Sequence, residues 1–195
     1  MKGEISRMLV LLAALPLLAG CGVKERAEAV WDKTVPAVLE KVPFMYKESK
    51  PTGVTYPANS TGQVQAIFAV EQAPVACKVF AHLLIWTPAG ANGRGLANVV
   101  EKEGRRYGAD MILLGRSRNA KADEGMAFVY YGPDQPYSCR DRWSGWKFGY
   151  ADWVNQGDWA SVGYEEWGKR AIWFDAPMVM QAAFLRCQPD ASEKR

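Results

Sequence analysis

Cys77-Lys78-Val79-Phe80-Ala81-His82-Leu83-Leu84-Ile85-Trp86 is a ten-residue run free of glycine and proline, and its period of two decides the fold. Alternation puts Cys77, Val79, Ala81, Leu83 and Ile85 on one face and Lys78, Phe80, His82, Leu84 and Trp86 on the other. The first face is wholly apolar and is expected to meet a core. Pro88, Gly90, Gly93 and Gly95 then break the strand. Leu96, Val99, Val100, Gly104 and Tyr107 follow at helical spacing, with Glu101 and Arg105 placed to pair across a turn. Gly104 lets that stripe approach a sheet closely, and Gly108 is a C-terminal stop. From Asp110 to Gly115, Met111, Ile112, Leu113 and Leu114 are continuous, as in a strand covered on both faces. Strand, helix, strand predicts an α/β (α+β) domain: a small antiparallel or mixed sheet with one main helix on one face.

Outward from this centre, Val64 to Val70 is β-prone, Ala127 to Tyr131 is a short strand, and Met178 to Cys187 is a longer one that closes the domain. The domain is expected over residues 63–187, with a polar tail at 188–195. Residues 132–174 form an insert of different character. Trp143, Trp146, Phe148, Tyr150, Trp153, Trp159, Tyr164, Trp167, Trp173 and Phe174 alternate there with Gly145, Gly149, Gly157, Gly163 and Gly168, which favours loops and short strands over one helix.

The chain starts differently. Lys2 and Arg7 precede an apolar run from Met8 to Leu18, too short for a membrane span of about 20 residues and fitted to a signal core. Leu18-Ala19-Gly20-Cys21 closes it and resembles a bacterial lipobox. The resemblance implies a signal peptide over 1–20, cleavage after Gly20, diacylglyceryl attachment to the Cys21 thiol and acylation of the new amino group. An ordinary signal peptide ending by chance at a cysteine is the alternative. Gly22 follows the cysteine, where an Asp would favour inner-membrane retention, so the expected address is the outer membrane, facing the periplasm. Within the anchoring region, residues 21–62, Ala27, Val30, Trp31, Val35, Val38, Leu39 and Val42 recur with helical period, giving an amphipathic helix from about 25 to 41 bent near Pro36. Tyr46 to Gly62, with Pro51, Gly53 and Pro57, reads as a linker.

Of 195 residues, removal of 1–20 leaves 175, enough for one domain with its own core. Lys2, Arg7 and Glu4 leave with the signal, so 24 basic and 21 acidic residues become 22 and 20. An excess this small argues for neither a nucleic-acid partner nor a polybasic membrane patch.

Leu96-Ala97-Asn98 through Glu103, followed by Tyr107-Gly108-Ala109-Asp110-Met111-Ile112-Leu113-Leu114, resembles the sensor lipoproteins of the Rcs envelope-stress phosphorelay over roughly Gly62 to Gly115. Ala183-Phe184-Leu185-Arg186-Cys187 is similar to that group's closing strand. The resemblance implies an anchored α/β domain and an envelope-sensing role, and it carries no catalytic motif. That group has two disulfides after the lipidated cysteine. Here only Cys77, Cys139 and Cys187 remain, so at most one carries over. Strand phase pairs Cys77 with Cys187, which shares a face with Val179, Ala183 and Leu185; Cys139, beside Arg140 and Arg142 in a polar context, gives the alternative Cys139 to Cys187.

Chemical motifs are sparse. There is no Cys-x-x-Cys pair, and a single histidine, His82, excludes a histidine-rich metal site, so no metal or cofactor is expected. His82 reads as a covered sheet residue rather than a base. Gly90-x-x-Gly93-x-Gly95 offers amides to an anion at a helix start, or simply a connection. Asp141, Asp152, Asp158, Glu165 and Glu166 among the tryptophans invite comparison with glycosidases but lack a recognisable acid and nucleophile spacing. Trp143, Trp146, Trp153, Trp159 and Trp167 are candidates for stacking on glycan rings; the same aromatics would also serve a satellite core or a membrane-interface belt. The expectation is a lipid-anchored, noncatalytic envelope module binding or sensing a protein or glycan such as peptidoglycan. The alternative is an enzyme acting on cell-wall sugars through Asp152, Asp158 or Glu165.

Overall fold

The computed structural model describes residues 50–59, 62–140 and 146–187. The expected signal, Cys21, the expected amphipathic helix, Asp141, Trp143 and the polar tail lie outside the described residues. Along the chain come β1 (Gln65–Ile67), β2 (Lys78–Thr87), β3 (Ala91–Asn92), α1 (Gly93–Arg106), β4 (Met111–Asn119), β5 (Ala127–Gly132), β6 (Tyr137–Ser138), α2 (Tyr150–Val154), β7 (Trp159–Ala160), β8 (Trp173–Phe174) and β9 (Met178–Arg186). The main sheet runs β1-β4-β9-β2-β5, with β6 extending the β5 edge along β2 and β7 the β1 edge along β4. Only β1 and β4 pair in parallel, so the sheet is mixed. β3 and β8 form a separate two-stranded pair.

The final strand is the central one. β9 lies antiparallel between β2 and β4, and every residue from Met178 to Leu185 is buried, so it is near-continuously apolar as a strand covered on both faces must be. On one face, Met178, Met180, Ala182 and Phe184 meet Ala81, Leu83, Ile85 and Ile112 beneath Leu96 and Val100 of α1. Asn92 starts that helix by accepting the Gly95 N–H at 2.7 Å. Its stripe sits close to the sheet at Gly104, where an added Cβ would come within 3.0 Å of Ile112 Cδ1. On the other face, Val179, Ala183 and Leu185 divide between two smaller clusters.

Strict alternation fails in the opening strand. Val79 pairs with Leu185 but Ala81 with Phe184, so Phe80 is a bulge that reverses the phase. Cys77 and Val79 therefore share the second face with His82 and Leu84, while Phe80 joins Ala81, Leu83 and Ile85 under the helix. The single-face assignment of Cys77 through Ile85 is corrected accordingly. Cys77 and Cys187 are bridged, and both belong to the second-face cluster with Leu185. Cys139 is not in a polar loop: it is buried in that same cluster, and Arg140 instead donates to the carbonyls of Glu71 and Ala73.

Two further expectations change. Only Gln65–Ile67 of the 64–70 run is strand, because a 3-10 turn follows at Val70–Gln72. Residues 50–59, read as linker, lie against the domain. Pro51 is buried, Tyr56 packs edge-on to Phe80 at 5.0 Å, and Asn59 donates its backbone N–H to Arg105 O. The Gly108-Ala109-Asp110 turn is what holds this strap. Gly108 takes φ +76°, and Asp110 accepts from Asn59 Nδ2, Arg186 Nη1 and the Cys187 N–H. One carboxylate thus ties the strap, the turn and the end of the central strand together.

Candidate functional site

The aromatic insert folds across the second face of the sheet. His82, buried there, stacks on Phe148 with centroids 5.0 Å apart and interplanar angle 17°, meets Trp146 edge-on at 5.8 Å, and is hydrogen-bonded through Nε2 to the Tyr137 hydroxyl at 2.6 Å. Burial lowers its pKa to about 4, so it is neutral at pH 7 and enclosed by rings. This is the covered sheet histidine expected from its strand, although Phe80 does not share its face.

Next to it the sheet is irregular again. Leu114 pairs with Ala182 and Ser117 with Met180, leaving Gly115 and Arg116 opposite Gln181 alone. The bulge leaves a glycine where the insert needs room: a Cβ on Gly115 would come within 2.9 Å of the Trp146 indole. Gln181, the polar residue in the middle of the central strand, donates Nε2 to Trp146 O at 3.1 Å and so fixes the insert to the sheet. An open groove of about 580 Å³ results, lined by Phe68, Leu114, Gly115, Arg116, Trp146, Lys147, Tyr150, Trp153 and Gln181. A second groove of about 490 Å³ shares Gly115 and Arg116 and continues past Trp159 to Gly163. Both volumes are in the usual range of small-molecule sites.

The groove's aromatic wall is held by cations. Trp153, the buried residue of α2, has Trp159 edge-on to it at 5.3 Å. The Arg118 guanidinium sits 4.9 Å from both ring centroids and donates Nη1 to Val154 O at 2.9 Å and Gln156 O at 3.3 Å. Arg116 lies over the Trp159 ring at 5.3 Å, and Trp159 is 55% exposed. Arg118 Nε and Trp153 Nε1 are buried without a partner among the described residues, a cost of roughly 1–3 kcal/mol each.

Of the predicted stacking residues, Trp146, Trp153 and Trp159 therefore come together along the two grooves. Trp167 does not; it packs against the helix-side core and Phe68. The described acids are not gathered in either groove. Tyr131 donates its hydroxyl to Asp152 at 2.7 Å, Glu166 accepts the Gly163 N–H at 2.7 Å, and none of Asp152, Asp158 and Glu165 lines either groove. Among the described residues no group of three or more His, Cys, Asp or Glu is placed to hold a metal ion. The glycine-rich connection is structural: Gly90 N–H donates to Phe174 O, Gly93 N–H to Ile172 O and Gly95 N–H to the Asn92 side chain. Sequence reasoning missed Arg116, Lys147 and Gln181. Two are ordinary surface cations by pattern, and only the polar interruption of an otherwise apolar strand marks the third.

Comparison with protein-family models, with curated proteins and with solved structures finds no match to this chain.

Proposed function

We propose that this chain is a lipid-anchored, noncatalytic binding module of the bacterial envelope, and that the open groove across the second face of the sheet takes a glycan. The observation that carries the reading is the groove's lining: Trp146 and Tyr150 supply aromatic surface, Gln181 a polar floor, and no carboxylate lines it among the described residues. Indole and phenol rings suit the C–H faces of sugars, while amide and hydroxyl groups fix orientation. Glycoside hydrolysis ordinarily uses two carboxyl groups flanking the bond, and no such pair lines the grooves among the described residues. The lipobox at Leu18–Cys21 and the likeness of residues 62–115 to envelope sensor lipoproteins support an exported, anchored context, and Gly22 supports the outer membrane. Among the described residues no helix is long and apolar enough to cross a membrane.

Titration with chitohexaose, followed by tryptophan fluorescence, and cosedimentation with isolated peptidoglycan test the reading. Saturable binding that weakens on Trp146→Ala is expected. Sugar turnover that disappears in Asp152→Asn, Asp158→Asn or Glu165→Gln would replace it with the enzymatic alternative. For the anchor, Cys21→Ser is expected to release the protein from the outer-membrane fraction; a variant that stays bound as the parent does contradicts the lipid attachment.

A further inference from the structure

Beyond accommodating sugar rings, the groove has a charge that no residue of its own lining balances. Arg116 and Lys147 border it, both exposed, and neither has an acidic partner among the described residues. Arg116 contacts Trp159 and Lys147 contacts Phe148, each at a ring face 5.3 Å and 5.7 Å away, so both cations are held beside aromatic surface rather than neutralised. A third cation, Arg118, is fixed behind the wall between Trp153 and Trp159 by two backbone carbonyls. No acid lines either groove among the described residues; Asp152 accepts from Tyr131, and Glu166 accepts from Gly163 and Ser161. A cleft lined by one sign of charge with low-dielectric walls attracts ligands of the opposite sign.

We infer that the groove selects anionic glycans, sugars bearing carboxylate groups, with Arg116 and Lys147 as the residues that set the selectivity. The inference rests on the glycan reading above and specifies its ligand class. Aromatic faces would hold the rings of neutral and acidic sugars alike; the two cations distinguish them, because a carboxylate accepts charge-assisted hydrogen bonds that a hydroxyl cannot match. Both cations are exposed, so each one's contribution is modest and salt-sensitive.

Two oligosaccharides of the same length separate the possibilities: chitohexaose, which is neutral, and hyaluronan hexasaccharide, in which glucuronate alternates with N-acetylglucosamine. Affinity is measured by calorimetry on the folded mature chain, with near-UV circular dichroism confirming each variant's packing. At low ionic strength the acidic probe is expected to bind at least about tenfold more tightly, with each cation contributing up to about fivefold. Arg116→Gln and Lys147→Gln should each erode that preference, read as the ratio of the two affinities in each variant. Raising salt from about 0.01 M to about 0.15 M, which shortens the screening length from about 30 Å to about 8 Å, should erode it as well. Equal affinity for the two probes, or a preference that survives both substitutions, overturns the inference and leaves the glycan reading intact. Failure of both probes to bind overturns the glycan reading and the inference with it.

Discussion

The two faces of the sheet are covered by different means. Under α1 the core is one continuous apolar cluster, closed by a helix that sits on the sheet through Gly104 and contributes fully buried Leu96 and Val100. Under the aromatic insert there are two smaller clusters, separated by His82 and Gln181, and between them a wall of rings and arginines that remains partly open. The first face is built the way stability demands, with apolar volume and few polar groups. The second buries His82 and Gln181 within its layer and leaves Trp159 exposed at its edge.

The largest single-residue losses of stability are expected on the helix face. Phe184, fully buried beneath Tyr130 and Phe80, is expected to cost about 3–5 kcal/mol on Phe184→Ala, read from denaturant midpoints. A loss below about 1 kcal/mol would mean that the cluster is not the core described. The second face has one strong covalent element, the Cys77–Cys187 bridge, which spans a sequence separation of 110 and joins the start of β2 to the end of the central strand. Removing it by Cys77→Ala with Cys187→Ala is expected to cost about 2–5 kcal/mol, and peptide mapping without reductant should find the Cys77–Cys187 cross-link in the parent protein.

Acid sharpens the comparison further, because the helix face has no buried histidine to titrate. His82 has its folded pKa lowered to about 4 from an unfolded value of 6.5, so the unfolded chain takes up the proton first. Its neutral form favours the fold above pH 6.5. That contribution is lost progressively as pH falls from about 6.5 to about 4, and it does not change further below. The total is on the order of 3 kcal/mol. Unfolding midpoints across this range should follow that slope, and His82→Phe should flatten it; an unchanged slope would assign the pH dependence to other groups. The smallest effect is expected at the groove's edge, where Trp159→Ala should change stability by less than about 1 kcal/mol while weakening glycan binding.

How much of this was legible in the sequence follows the same division. Strand, helix and strand could be read because α1, β2 and the core of β4 carry the regular periods that a one-sided apolar surface imposes. The mixed sheet with its single main helix follows from them. Cysteine pairing could be read from Cys187, whose alternation through Leu185, Ala183 and Val179 holds without interruption. The phase of Cys77 could not, because the Phe80 bulge leaves no composition signal. Gly115 and Arg116 are equally silent: nothing in Leu114-Gly115-Arg116-Ser117 announces that two residues will oppose one. The groove exists because of that bulge, and so the tryptophans could be nominated from sequence while the surface that gathers Trp146, Trp153 and Trp159, but not Trp167, could not. The strap at 50–59 was illegible for another reason. Its anchors are single contacts, Tyr56 on Phe80 and Asn59 on Asp110, which have no period to detect.

The proposed function puts binding on the insert-covered face and not on the helix-covered one. Backbone hydrogen exchange of the mature protein, with and without saturating hyaluronan hexasaccharide, tests this most directly. Added protection is predicted at residues 115–118 and 146–154, with the amides of α1 unchanged. Protection confined to residues 93–106, or no change at the bulge and α2, would contradict it.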